Sequence, residues 1–338
     1  MLKPYLHKVL AGQDLSNSEM DALLELLTSN EVSFAQAGAI LAALRMKGES
    51  VSELVGGAQM LRRNATFIDC GGREVVDIVG TGGDGGISFN ISTTSALVAA
   101  GAGVVIAKHG NRAVSGKCGA ADVLAELGFN LDVTPAAMEN SICEQGIGFM
   151  FAQKLHPKFA RVAPLRRELG IRTIFNMFGP LCNPAGATRM VVGVFDNRLT
   201  ELFAAALQGL GVKHALVVHG NDGLDEISCC DTTRVSELKD GRIKSYEIYP
   251  EMLLGDTFEL SEIAGGDIPQ NAAILQAVLD GQDQGACRAV VLLNAAAACY
   301  VAGLADSLAD GIRLAEQSID EGKAAEKLQT LIQESRTA

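Results

Sequence analysis

Apolar residues recur at helical spacing from the start of the chain: Leu23, Leu24 and Leu27, then Ile40, Leu41 and Leu44, then Leu54, Met60 and Leu61. Each of these segments opens with a capping pair, Ser16 with Glu19, Ser33 with Gln36, and Ser50 with Glu53. In such a pair the hydroxyl and the side chain three residues on satisfy each other's backbone N–H groups. Roughly the first 63 residues therefore read as helices. Three isolated helices cannot hide so many large apolar side chains, so they must pack on each other, on the rest of the chain, or on a second subunit. The pattern lapses over 64–72, which reads as a connector. A small helical domain is expected over 1–70, with a return segment near 164–187, and a large α/β domain over 71–338.

Beyond the connector the period changes. Glu74 to Val79 (EVVDIV) is short and β-branched, as a buried strand should be. Strand-like runs then alternate with helical ones: VVIA at 104–107, a helix from Gly119 to Leu127, MVVGVF at 190–195, a helix from Leu199 to Leu210, LVVH at 216–219, and VVLL at 290–293. That alternation predicts a mostly parallel central sheet. RIKSYEIYP at 242–250 alternates and carries charge, which suits an antiparallel or edge strand.

The clearest chemical signal is DIVGTGGDGGISFNISTTSALVAAGAG, from Asp77 to Gly103. A strand ends at Val79, glycines fill the turn, and a helix is expected to begin at Ser92 or Thr93. Glycines let backbone N–H groups approach an anion, and a helix N-terminus adds donors and positive dipole. Gly80, Gly82 and Gly85 satisfy G-x-G-x-x-G literally, so a dinucleotide-binding dehydrogenase must be weighed. That fingerprint needs an acidic residue at the end of the second strand, where this chain has Lys108 and His109. A P-loop is excluded, because no G-K-[ST] closes the turn. Asp84 among phosphate-binding amides is repulsive unless a cation or hydroxyl lies between, which ribose hydroxyls or Mg²⁺ would supply. The next strand leads into KHGNRAVSGKCGAADVLAELG, Lys108 to Gly128. Ligands in open α/β sheets bind at the carboxyl ends of strands, so both loops should share one crevice. Lys108 and Arg112 can neutralise a polyanion there, with Ser115 donating hydrogen bonds.

Composition narrows the partners. The chain has 338 residues, 48% of them hydrophobic, and a formal net charge of −12, which disfavours nucleic acid as a partner. No leader-like apolar segment opens it and no stretch is apolar enough to span a membrane, so a cytoplasmic protein is expected. Its eight cysteines form no C-x-x-C pair and are expected to be reduced thiols.

Taken together, GTGGDG, NIST and KHGNRAVSGKCGAADVLAELG resemble the anthranilate phosphoribosyltransferases, a family related to the pyrimidine nucleoside phosphorylases. The resemblance continues through HPKFARVAPLRRELGIRTIFNMFGPLCNPA at 156–185 and VVHGNDGLDEIS at 217–228 and spans essentially the whole chain. It implies the nucleoside phosphorylase/phosphoribosyltransferase type of α/β fold and a homodimer formed through the helical domain. It implies transfer of a phosphoribosyl group from phosphoribosyl pyrophosphate (PRPP) to anthranilate, with two Mg²⁺ ions as cofactor. By the same resemblance Gly80, Gly83, Asp84, Ser88, Asn90, Ile91, Ser92, Thr93, Lys108, His109, Gly110, Asn111, Arg112, Ala113, Val114, Ser115, Gly116 and Ala120 would surround PRPP. Gly80, Asn111 and Arg166 would face anthranilate, and Ser92, Asp225 and Glu226 would hold metal. A planar guanidinium suits a benzoate carboxylate, whereas neighbouring Arg167 is expected to be structural. No general base is expected, because the aromatic amine is already neutral, and His109 is a wall or hydrogen-bond donor. Many relatives carry serine in place of Gly116 and Ala120. A nucleoside phosphorylase, whose glycine loop reads K-H-S-T-G-G, and a noncatalytic nucleic-acid binder on the same scaffold are the rival readings.

Overall fold

The computed structural model describes residues 2–29, 31–82, 86–113 and 116–336. Four helices open the chain: α1 (Lys3–Leu10), α2 (Asn17–Leu27), α3 (Phe34–Lys47) and α4 (Val51–Arg63). All three capping boxes form as expected, each serine accepting from the amide of its partner three residues on. Without them each helix would start with four unsatisfied N–H groups and lose about 1 kcal/mol. The apolar stripes face inward, and Leu23, Leu24, Ile40, Leu41, Leu44 and Leu54 are fully buried. Helix α4 makes its closest approach through Gly57, where a Cβ would lie 2.2 Å from the ring of Phe178. The segment 164–182 thus returns to the helical layer: Arg62 donates to the Leu181 carbonyl at 2.7 Å, and Gly38 on α3 meets Leu169.

The rest of the chain wraps one seven-stranded sheet in the order β3-β2-β1-β4-β5-β6-β7. The strands are β1 (Val76–Gly80), β2 (Ile106–Gly110), β3 (Ile147–Phe151), β4 (Arg189–Gly193), β5 (His214–Gly220), β6 (Thr233–Lys239) and β7 (Arg242–Ile248). β1 to β5 are parallel, while β6 and β7 add an antiparallel edge. The expectation for RIKSYEIYP therefore holds. The chain runs outward from β1 to β3 and then returns to β4 on the other side of β1, so β1 and β4 flank the topological switch point.

One expectation fails. VVLL at 290–293 is no strand but the middle of a 17-residue helix, Ala286–Ala302. Val290 to Leu293 are buried all round because that helix packs on the sheet and on the helices Ile91–Gly101 and Leu308–Asp320. A helix with neighbours on every side has no polar face, and its short apolar runs mimic a strand. No helix among the described residues is long and apolar enough to cross a membrane. All eight cysteines are free thiols.

Candidate active site

Parallel strands β1 to β5 deliver their carboxyl ends to one edge. There the register pairs Gly80 of β1 with Gly193 of β4. Above this pair lies Asp225, on the loop after β5. A Cβ on Gly193 would fall 1.6 Å from the Asp225 carbonyl oxygen, and one on Gly80 would fall 2.5 Å from its Oδ2. At Gly193 only glycine admits the Asp225 backbone, and at Gly80 a larger residue would push against its carboxyl. The Gly82 amide donates to Asp225 Oδ2 at 2.8 Å, and Thr81 N donates to the Gly193 carbonyl at 2.9 Å, tying the first glycine turn to the same seam. Asp225 therefore sits over the switch point, nine-tenths buried, with half-buried Glu226 beside it.

The helix after the glycine loop is Ile91–Gly101, starting one residue earlier than expected. Its N-cap, Asn90, makes no side-chain cap. Instead its amide donates to the Cys118 carbonyl at 3.3 Å and accepts from Asn271 Nδ2 at 3.2 Å. An asparagine that turns away from its own helix leaves first-turn amides for an anion. Ser92 is half-buried at this turn, whereas Ile91 and Thr93 are buried; the Ile91 N–H is taken by the Phe89 carbonyl, and the Thr93 hydroxyl has no partner among the described residues. Ser88 pairs with Ala264 in a short antiparallel bridge that braces the loop's outgoing limb. Gly83 and Asp84 lie outside the described residues.

Lys108 differs from the expected role of a free cation in the crevice. It is buried, and its Nζ donates to the Ile78 carbonyl at 2.6 Å and to Ser92 Oγ at 3.3 Å. Burial pulls its pKa down, while Asp77 and Glu226 hold the charge in place. The lysine thus lies beneath the site, bonded to Ser92 and close enough to feel the charge of Glu226. Asp77 in turn accepts from Asn183 Nδ2 at 2.7 Å and from the His109 amide at 3.1 Å, and burial pushes its carboxyl up to about 6.

The second loop is organised by Asp122, a residue that none of the sequence motifs marked for the site. Its carboxylate accepts from Arg112 Nη1 at 2.7 Å, Ala113 N at 2.9 Å and Gly119 N at 3.0 Å. Arg112 and the Ala113 amide are therefore already committed. The signal was an acid at the third residue of the helix Ala120–Glu126, a capping position. Val114 and Ser115 lie outside the described residues. Gly116 comes close to Gly86, so the two loops touch through glycines, while Gly110 packs on Phe149 and Ala120. Asn111 Oδ1 accepts from Arg112 N at 2.8 Å and from Gln153 Nε2 at 3.1 Å, which leaves its Nδ2 as the outward donor.

His109 donates from Nδ1 to the Gly179 carbonyl at 3.2 Å, and its ring lies 5.0 Å from that of His156. Its Nε2 has no partner among the described residues. Burial lowers His109 to about 3 and His156 to about 4, so both rings are neutral at pH 7. Arg166 stands on the helix Pro157–Leu169, which leaves the carboxyl end of β3 past Gln153. It is half-buried, and burial lowers its pKa with no compensating acid among the described residues. Arg167 beside it is exposed.

Among the described residues no cluster of three or more histidine, cysteine or acidic side chains could hold a metal ion alone. Hard oxygens of Ser92, Asp225 and Glu226 do suit Mg²⁺, which takes one or two carboxylates and completes its shell from phosphates and water. A cavity of about 580 Å³, lined by Arg189, Lys213, His214, Lys239, Tyr300 and Asp306, lies at the other end of the sheet. Its cations are already paired, Arg189 and Lys213 with Glu74 and Lys239 with Tyr300.

Residues 3–65 match the helical bundle domain of a glycosyl transferase family, and residues 72–325 match its a/b domain. The anthranilate phosphoribosyltransferase of Desulfosudis oleivorans is 51% identical over 333 residues, covering 98% of each chain. The chain belongs to the anthranilate phosphoribosyltransferase family. Solved members share its fold. The enzyme from Thermus thermophilus superposes with a TM-score of 0.92 at 40% identity, over 98% of this chain and 99% of that one. The Saccharomyces cerevisiae enzyme, in complex with PRPP and Mg, gives 0.90 at 28% identity over 100% and 98%. Gly193 and Asn183, which no motif singled out, lie at this seam and beneath it, Gly193 under Asp225 and Asn183 bonded to Asp77 and to the Ala107 carbonyl. A glycine inside the β-branched run MVVGVF was the available signal for close approach.

Proposed function

We propose that this enzyme transfers the phosphoribosyl group of PRPP to the amine of anthranilate, giving N-(5-phosphoribosyl)anthranilate and pyrophosphate, a step of tryptophan biosynthesis. The observation that carries this reading is the seam at the switch point, where Asp225 rests on Gly80 and Gly193 beside an uncapped helix N-terminus. The anomeric carbon loses its bond to pyrophosphate oxygen and gains one to the amine nitrogen, which sheds a proton. First-turn amides at Ser92 and Thr93, with the loops Gly80–Ser88 and Lys108–Gly116 and Ala120, cradle the donor's phosphates and ribose. Ser92, Asp225 and Glu226 hold Mg²⁺, taken as two ions. Bound magnesium supplies positive charge against the departing pyrophosphate.

Arg166 meets the anthranilate carboxylate with its planar fork, and Asn111 Nδ2 donates beside it. The neutral pair His109 and His156 forms an uncharged wall that excludes water, and no general base is required. The assay is the loss of anthranilate fluorescence on addition of PRPP and magnesium, with the ribosylated product identified by mass. Consumption of anthranilate independent of PRPP would overturn the reading.

The helical segment 1–70 and the α/β segment 71–338 are taken as domains, with 164–187 returning to the first. The enzyme acts as a cytoplasmic homodimer through its helical layer, a reading supported by exposed Leu10, Phe34 and Met46 there. Sedimentation of the intact chain tests the dimer.

A further inference from the structure

Asp225 and Glu226 stand on a loop, and a loop places its side chains only as well as its backbone is held. Much of the bonding in 220–233 is local. Gly220 N donates to the Leu224 carbonyl, Gly223 N to the Gly220 carbonyl, and Asp222 accepts from Leu224 N and Ser228 Oγ. Such bonds shape the loop without fixing it to the molecule. Besides the Gly82 N–H on Asp225 Oδ2, a backbone tie that reaches outside the loop is made at Ile227, the residue after Glu226. Its N–H donates to Asn294 Oδ1 at 3.0 Å, and Asn294 Nδ2 donates back to the Ile227 carbonyl at 2.9 Å. The side-chain amide reproduces a two-bond rung of a β-ladder against one residue's backbone.

Asn294 lies at the centre of the helix Ala286–Ala302 and is fully buried, in the run VVLLNAAAA. An asparagine there is a poor helix former and costs desolvation unless its hydrogen bonds are made. Here its second N–H goes to the Val290 carbonyl at 2.9 Å, so both donors and Oδ1 are used and the amide cannot turn. We infer that Asn294 is a positioning residue for the Asp225–Glu226 pair, clamping the backbone next to Glu226 onto the central helix so that the carboxylates meet magnesium pyrophosphate already in place. The inference rests on the metal role proposed for that pair. Buried supports behind metal-holding carboxylates commonly change metal affinity by about 10- to 100-fold when removed.

The test uses the full-length enzyme with Asn294→Leu, which removes the whole clamp. Asn294→Asp, of equal size, keeps the acceptor for Ile227 N and loses the donors, and it serves where the leucine variant does not fold. Ser95→Ala is the control, since it deletes a bond to the same helix, Ser95 Oγ to the Val291 carbonyl at 3.3 Å, without touching the loop. For the Asn294 variants, half-maximal activation should need about 10- to 100-fold more magnesium, with KM for anthranilate unchanged and much of kcat restored at high magnesium. In the ligand-free enzyme, amide hydrogen exchange over 225–228 should speed up by at least about 10-fold. Ser95→Ala should lower Tm and leave both readouts alone. Wild-type magnesium dependence and exchange in the Asn294 variants, while Asp225→Asn still abolishes magnesium activation, would overturn the inference and leave the site intact. If Asp225→Asn itself retains normal magnesium dependence, the metal role of the pair falls, and this inference with it.

Discussion

Gly193→Ala asks whether the seat of Asp225 matters, because the substitution adds one methyl group where none fits. Its Cβ would lie 1.6 Å from the Asp225 carbonyl oxygen and 2.5 Å from the carbonyl carbon. An ordinary carbon–oxygen contact is about 3.3 Å, so the loop must move by about 1.7 Å. The obstacle is backbone, which cannot swing aside as a side chain could. Position 193 has ordinary strand geometry, so no strain from an unusual φ complicates the change. A shift of that size breaks the 2.8 Å bond from Gly82 N to Asp225 Oδ2, a charge-assisted contact typically worth about 1.5–3 kcal/mol. It would also displace the carboxylates proposed to hold magnesium on the pyrophosphate, and a misplacement of about 1 Å can cost roughly 100-fold in rate. Both effects act through the same displaced aspartate and overlap, so a loss of at least about 100-fold in kcat/KM for PRPP is expected, followed by anthranilate fluorescence over a magnesium series. Alanine at Gly80 should cost less, about 10-fold, because its close contacts are with the Asp225 carboxyl, Oδ2 at 2.5 Å and Cγ at 3.2 Å, which can turn, while the backbone oxygen stays at 3.6 Å. A Gly193→Ala enzyme with kcat/KM within about twofold of wild type would refute the reasoning, since the seam would then be packing and nothing more.

Asp225→Asn with Glu226→Gln should lower turnover by at least about 100-fold, because neutral amides hold a hard dication poorly; near-normal rates at limiting magnesium would remove the pair from the site. Arg166→Ala should raise KM for anthranilate by about 10- to 150-fold with little change for PRPP, from a bidentate contact of about 1.5–3 kcal/mol. Arg166→Lys should recover little, and Arg167→Ala should alter stability more than kinetics; interchangeable kinetic phenotypes would move the acceptor elsewhere. Gly116→Ser should be tolerated, since a Cβ there meets Gly86 Cα only at 3.5 Å, and should lower KM for PRPP by adding a hydroxyl to the loop. Acid should destabilise the enzyme through its buried imidazoles. His109 and His156 titrate near 3 and 4 when folded, so their stabilisation is full above about pH 6.5 and is lost as pH falls towards those values. Asp77, raised to about 6, opposes them by taking up a proton in the folded state between about pH 6 and 4. Two protons lost against one gained leaves about 1.4 kcal/mol per pH unit, and His156→Phe should roughly cancel that slope in denaturant melts at pH 6 and pH 4.5. An unchanged slope would exclude His156 as its source.

Local rules made the helical layer legible. Ser16, Ser33 and Ser50 each specify a helix start with a partner three residues away, and no distant contact can overrule a satisfied cap cheaply. Period-two or β-branched runs located β1, β4, β5 and the edge β7 to within a few residues. VVLL failed because burial on every side erases the period that separates helix from strand. β3, IGFMF, and β6, TRVSELK, were not anticipated as strands although both pair fully in the sheet. In the site, the glycine loop was readable from glycine spacing, but the acidic pair was not, since Asp-Glu in a loop is ordinary surface until a fold sets Asp225 over Gly80 and Gly193. Only the family resemblance supplied it. Lys108 shows the opposite limit: its type suggested a crevice cation, and only register and burial could turn it inward.

The inward commitment of the cations bears on how a protein of net charge −12 binds a pyrophosphate. Lys108 is held by the Ile78 carbonyl and Ser92, with Asp77 and Glu226 close by, and Arg112 is paired to Asp122 at 2.7 Å. To turn to the donor, Lys108 must leave the buried Ile78 carbonyl, and Arg112 must give up a charge-assisted bond to Asp122, whose other oxygen keeps the Ala113 and Gly119 amides. The seat over the switch point adds two carboxylates, which repel phosphate oxygens unless a cation lies between. Backbone amides at the uncapped helix start supply partial charge only. If Asp225 and Glu226 hold magnesium as proposed, the arrangement is incomplete towards a bare polyanion and complementary to one that arrives with the metal. Lys108 and Arg112 are bonded to Ser92 and to Asp122 of the second loop, and Arg166, with no acid beside it among the described residues, is the cation that the proposed function assigns to the acceptor's carboxylate.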